Sequence, residues 1–342
     1  MLLNSWSITL LVTSAAALFL AAGAVGTAIR TLRFWDSEAD TARQIELENE
    51  TWLSALLMQY GMVLQILALL LLVLAADNYS EILIGAMCAT GAFLANEYGI
   101  PLLLVKICGI FLYGFWIVLH RLDISSERLP LTRIKYGYVL LLVPLLLADI
   151  LLLILYLVDL QPDIITSCCG VVFGGAAGDG KNLVGPVPVV VLMVLFYGLA
   201  GLLFVGGLVL LRRADRGSFP GENIIGIVFS LLWLLFFALS LLVITAVISS
   251  YIYAMPFHRC PFDILKEEYY SVGYVIYFAL FTATFFGMSA GLTTLFTALP
   301  DMRQAVASFR ITALRLCLLL LPLFLLVVSW FPAVYLLGGG DR

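Results

Sequence analysis

Apolar runs long enough to cross a bilayer follow one another along almost the whole chain, and this feature alone removes most folds from consideration. In hydrocarbon every backbone N–H and C=O must find its partner within the protein, which leaves α-helices and closed barrels as the only spanning structures. The run at 136–159, YGYVLLLVPLLLADILLLILYLVD, is continuously apolar rather than alternating, so it reads as a helix and not as a barrel strand. A hydrocarbon core of about 30 Å takes about 20 residues of helix. Runs that meet this rule fall near 7–29, 52–75, 79–95, 99–120, 136–159, 187–211, 223–252, 271–297 and 311–336. The expected fold is an all-α polytopic transmembrane helix bundle of about nine spans, forming a single integral membrane domain over residues 1–342. The run at 79–95 is the shortest and ends in NEYGIP, so eight spans plus a re-entrant segment is the alternative. Ahead of the first run, residues 1–6 carry no Lys or Arg, so it reads as a retained helix and not a cleaved leader.

Composition agrees with this reading: 63% of the 342 residues are hydrophobic and 12% are charged, against about 25% charged in soluble domains. The 18 basic residues form no stripe with interleaved aromatics, which excludes nucleic acid as a partner and leaves membrane lipid. No GxxxxGK[ST], GxGxxG, HExxH or GxSxG pattern occurs, so nucleotide-driven pumping, dinucleotide binding, zincin chemistry and serine hydrolysis lack their motifs.

Lys and Arg in short connections set orientation. They concentrate at 121–135, 212–222 and after 298, which makes those connections cytoplasmic and the loops at 160–186 and 254–270 exoplasmic. Nine spans then place the N-terminus in the cytoplasm and the C-terminus outside, in a protein expected in a bacterial inner membrane. One segment disagrees. The acidic, amphipathic connector at 30–50 carries Arg30, Arg33 and Arg43 yet falls outside under a nine-span count, and it moves inside only if 79–95 does not cross. Ser37 and Asp40 stand at capping-box spacing there, which predicts a helix running into the second span.

Charges within the apolar runs are the first candidates for function, because ionisable side chains inside a membrane are costly and face protein or water. Lys106 and Asp149 lie in neighbouring runs, and from Arg128 they are 22 residues back and 21 forward, so an antiparallel hairpin brings them to similar depth. The expectation is an intramembrane ion pair, either a latch between two helices or a proton- or ion-linked switch. His120 reads as an interfacial side chain and Glu97 as a solvated turn residue. Gly287 and Gly291 form a small-xxx-small pair that predicts close helix packing.

The second candidate is a group of thiols on the exoplasmic side. Three of the six cysteines, Cys168, Cys169 and Cys260, lie in the two long outer loops, and His258 stands two residues before Cys260. Pro261 suits the first turn of a helix, so CPFDILKEEYY reads as a helix with Cys260 at its N-cap, where the dipole and free N–H groups favour a thiolate. Three arrangements fit these residues. One is a structural disulfide from Cys260 to Cys168 or Cys169. Another is a redox-active set in which Cys260 attacks and Cys168 or Cys169 resolves, serving a periplasmic redox protein and relaying to a quinone. The third is a soft-metal site of His258, Cys260, Cys168 and Cys169, suited to Zn or Cu. The functions that follow are thiol-redox or electron transfer with periplasmic partners, soft-metal transport from a periplasmic metal-carrying protein using the Lys106–Asp149 pair, or a non-catalytic subunit of a respiratory or assembly complex.

Overall fold

The computed structural model describes residues 2–36, 41–86, 88–163, 188–214, 221–255, 258–299 and 301–338. Among these residues the structure is built of helices and short connections with no strand, and eight helices are long and apolar enough to cross a membrane. In chain order the helices are α1 (Ser5–Phe34), α2 (Ala42–Ile82), the short α3 (Ala89–Leu94), α4 (Gly99–Asp123), α5 (Thr132–Asp159), α6 (Val189–Ala214), α7 (Glu222–Tyr253, with a π-helical stretch at Ile244–Ile248), α8 (Val272–Leu292) and α9 (Arg303–Leu337). The protein is an all-α polytopic membrane protein.

The ninth expected span, 79–95, does not exist. The gap at 76–78, left between the runs at 52–75 and 79–95, is instead part of the 41-residue α2, which continues to Ile82. Tyr79 is fully buried there with its hydroxyl 2.7 Å from that of Ser7, and the Ser80 hydroxyl donates back to the Asp77 carbonyl. The chain leaves the helix at Leu83, turns through Gly85 at φ 84°, and makes only the six residues of α3. Six helical residues rise about 9 Å and cannot cross. At its other end α2 starts at Ala42, where the Thr41 hydroxyl caps the Gln44 N–H; Ser37 and Asp40 lie outside the described residues.

The chain divides into two compact units, residues 1–166 with 299–305 and residues 167–298 with 306–342. In the first, α1 packs on α2 and α5, and α4 packs on α5 and α2. The buried face of α1 reads Ser7, Leu10, Ser14, Ala17, Ala21, Ala24, Ala28, Thr31, a stripe of mostly small residues at alternating three- and four-residue spacing. Small side chains let backbones approach, which is the main source of helix association in lipid; a Cβ on Gly61 of α2 would stand 3.4 Å from the Ala17 carbonyl oxygen.

In the second unit α7 packs against α8 and α6. Gly226 of α7 faces Gly291 of α8, and Gly287 takes the indole of the fully buried Trp233. Phe196, Phe236 and Phe324 join α6, α7 and α9 with ring centroids 5.5–6.1 Å apart. A buried Arg310–Glu222 ion pair ties the starts of α9 and α7.

Candidate functional site

The α4–α5 hairpin is held by its own turn. Asp123 accepts hydrogen bonds from the Leu131 N–H at 2.9 Å and the Thr132 hydroxyl at 2.8 Å, and the Lys135 ammonium lies 2.6 Å from the same carboxylate. Lys135, counted among the basic residues at 121–135, is buried. Asp123 ends one helix and Thr132 begins the next, and Lys106 and Asp149 each lie seventeen residues beyond them (123 − 106 and 149 − 132). Equal rise along two antiparallel helices brings both to one level.

There the structure brings the two charges together. Lys106 Nζ is 2.9 Å from Asp149 Oδ1 and 3.0 Å from Oδ2, with each side chain 1% exposed. Two further helices contribute. Ser14 of α1 donates to Asp149 Oδ2 at 3.4 Å and accepts from Lys106 at 3.5 Å. Gln65 of α2 donates its amide N–H to Asp149 Oδ2 at 3.2 Å and offers its carbonyl to Lys106 at 3.5 Å. Four helices thus supply one polar cluster inside an apolar bundle, and every partner sits where it moderates the cost of burying the two ions.

Ser14 and Gln65 were not among the residues singled out from sequence. Ser14 is one small residue in a small-residue stripe and carries no signal of its own. Gln65 does carry one, as the single polar side chain in the run GMVLQILALLLLVLAA, where an amide has no reason to be unless something polar meets it. Glu97 is exposed, in agreement with its reading as a turn residue. His120, read as an interfacial side chain, is half-buried near the end of α4, where its ring stacks on Trp116 at 5.5 Å with planes 10° apart and its Nδ1 is buried.

The outer segment around Cys260 is built differently from the helix expected of CPFDILKEEYY. It makes two three-residue 3-10 turns, Asp263–Leu265 and Glu267–Tyr269, separated by an extended Lys266 and closed by left-handed Tyr270 and Ser271. The reason is Asp263, whose carboxylate holds His258 Nε2 at 2.8 Å and Lys266 Nζ at 3.1 Å and so folds the segment on itself. The helix dipole invoked for a Cys260 thiolate is therefore missing. Cys260 is fully buried, its sulfur accepts from the Phe262 N–H at 3.4 Å, and its carbonyl accepts from the Tyr253 hydroxyl. The Tyr253 ring packs edge-on against His258 and Tyr269, with centroids at 4.4 and 4.5 Å. Burial, with the nearby Asp263 and Glu268 carboxylates, raises the Tyr269 phenol above its ordinary value, so it stays protonated. With Nε2 committed to Asp263, His258 has only Nδ1 to offer a metal. Cys168 and Cys169, on which each thiol arrangement depends, lie outside the described residues.

No protein-family model, curated protein or solved structure matches the chain.

Proposed function

We propose that this protein is a proton-linked membrane transporter in which Asp149 is the proton-accepting group and Lys106 its counter-charge. The observation that supports this reading is the ion pair itself, 2.9 Å long and almost wholly buried within the bundle of α1, α2, α4 and α5. Replacing a buried ion pair by apolar side chains of similar volume is often neutral or stabilising, so such a pair is a poor device for holding helices together. It is a good device for a switch. Protonating Asp149 removes one charge, leaves the Lys106 ammonium uncompensated, and so favours a different packing of four helices that all touch the site.

The test is direct. In liposomes of phosphatidylethanolamine and phosphatidylglycerol with an entrapped pH dye, an imposed membrane potential is expected to drive proton uptake through the wild-type protein and not through Asp149→Asn. Infrared difference spectra across a pH step are expected to contain a protonated-carboxyl band that the same substitution removes. Proton uptake and an unchanged band in Asp149→Asn would sink the proposal.

The thiol readings are supported less. Cys260 is buried and its neighbour His258 is engaged by Asp263, while Cys168 and Cys169, the other thiols of electron exchange with a periplasmic protein or quinone and of soft-metal capture of Cu or Zn, lie outside the described residues.

For orientation, eight crossings put the connections at 35–41, 124–131, 215–221 and 297–302 on one face. Arg30, Arg33 and Arg43 then join the other basic connections, and the disagreement at 30–50 disappears. We assign this basic face to the cytoplasm of a bacterial inner membrane. An even count places the residues before Ser5 and after Leu337 on the same, exoplasmic, face, where nine crossings would separate them. Cysteines introduced at the exposed positions Asp36 and Glu127 are expected to resist an impermeant maleimide in intact cells, and one at Glu267 to react; a reactive Asp36→Cys would overturn the eight-span arrangement.

A further inference from the structure

We propose that one buried face of α4 conducts protons between the Lys106–Asp149 pair and the basic end of the first unit, an inference that rests on the proton-linked reading above and adds its path. Lys106, Gly109, Tyr113, Trp116, His120 and Asp123 follow one another at alternating spacings of three and four, which puts all six on one side of the helix. All are buried except His120, which is half-buried.

Tyr113 and His120 are the two side chains on this face that can both take and give a proton between the ion pair and Asp123. Helical side chains lean toward the N-terminus, and the Tyr113 ring lies back over Gly109 so closely that a Cβ there would stand 2.6 Å from Cε2. That pose carries the ring along α4 toward the level of Lys106, where Asp149 is held. One turn further on, Trp116 and His120 are stacked, and both the indole Nε1 and the imidazole Nδ1 are buried without a hydrogen-bond partner among the described residues. Buried polar atoms in folded proteins are paired almost without exception, with water where protein supplies nothing. Trp116 lies between Tyr113 and His120 on this face, so water that meets these two atoms links the two proton carriers.

The opposite end is built to stop protons. Tyr79, Tyr156 and Phe93 are fully buried, with ring centroids 6.3–6.5 Å apart around Tyr156. Both hydroxyls are engaged by protein, Tyr79 with Ser7 and Tyr156 with the Ala92 carbonyl. The short α3, which does not cross the membrane, supplies Phe93 and Ala92 to this plug.

The transfer balances without a further reactant. One His120 ring nitrogen takes a proton from water at the basic end and the other releases one to the bridging water. That water passes a proton to the Tyr113 hydroxyl as Tyr113 gives its own to the Asp149 carboxylate. Water and Tyr113 regain their starting forms by turning an O–H and His120 regains its tautomer by turning its ring, so the net change is one proton taken from the bulk solution and a carboxylic acid beside the Lys106 ammonium. The charged groups around His120 are Lys135, Asp123 and Arg121.

The experiment follows the Asp149 carboxyl band by time-resolved infrared spectroscopy after a pH jump on the full-length protein in detergent. Tyr113→Phe, His120→Phe and His120→Gln are expected to keep the amplitude of the band and slow its appearance by at least about tenfold, the lower range for losing a positioned proton carrier. Gly109→Ala, which removes no proton carrier but pushes the Tyr113 ring aside, is expected to slow it as well. Tyr79→Phe, in the plug, is expected to change nothing. Unchanged rates in the Tyr113 and His120 variants with the band intact would overturn the path while leaving the Asp149 switch standing. Slowing by Tyr79→Phe alone would place proton access at the other end and also overturn it. Absence of the band from wild-type protein would instead refute the underlying assignment of Asp149.

Discussion

Asp149→Ala is expected to destabilise the protein more than Asp149→Ala combined with Lys106→Ala. In the single variant the Lys106 ammonium, 1% exposed and previously 2.9 Å from its carboxylate, has only the Ser14 hydroxyl and the Gln65 carbonyl left, both at 3.5 Å. Stranding one member of a buried pair costs about 3–5 kcal/mol. The double variant strands none, and its remaining cost is the space vacated by two side chains. Lys106→Ala alone is expected to resemble Asp149→Ala, since a carboxylate in an apolar bundle is no cheaper than an ammonium. Thermal unfolding in detergent, followed by loss of the monodisperse peak in size-exclusion chromatography, should rank the double variant above both singles. A double variant less stable than either would mean that the two charges do not compensate one another.

Gly291→Ala is expected to weaken the second unit although it adds a single methyl group. Its Cβ would stand 2.2 Å from both the Gly226 carbonyl oxygen and the Ser230 hydroxyl. The carbonyl is backbone and cannot rotate away. The hydroxyl is bonded to the Gly226 and Met288 carbonyls and so resists moving too. Helices α7 and α8 must separate, losing contact along their length. Overpacking of this kind costs about 1–3 kcal/mol. Gly287→Ala meets Trp233 at 2.3 Å and belongs to the same class, because that indole is boxed in by Phe229 and Phe236. Gly198→Ala and Gly201→Ala provide the contrast, since nothing lies within 4 Å of either Cβ. There the gain in helix propensity, up to about 1 kcal/mol, is expected to raise stability slightly. Thermal shifts of one sign for all four substitutions would contradict the packing described.

The close approach at Gly287 and Gly291 was legible in the sequence because spacing in a helix is a local matter: residues four apart share a face whatever surrounds them. Hydropathy identified eight crossing helices for the same reason, since burial in lipid depends on each segment's own composition. It failed at 79–95. The gap at 76–78 reads as a break, but α2 continues through it to Ile82, where Tyr79 is buried against Ser7, a contact between positions 72 apart that no window along the chain contains.

The meeting of Lys106 and Asp149 lies between these cases. Equal distances from one short turn put the two at equal depth, so their level followed from counting residues, and the Asp123–Lys135–Thr132 cluster holds the hairpin in that register. That Ser14 and Gln65 complete the site was decided by tertiary structure, because it depends on which faces α1 and α2 turn toward the hairpin. The environment of Cys260 was decided in the same way. The sequence placed a proline beside the cysteine and suggested a helix start, but the Asp263 carboxylate, bonded to His258 and Lys266, folds the segment into 3-10 turns and the thiol into the interior. Periodicity, composition and chain counting settle whatever follows from a helix and its nearest turn. The partners a buried polar group acquires are settled only when distant segments pack, since its desolvation must be met by whichever side chains the fold brings within reach.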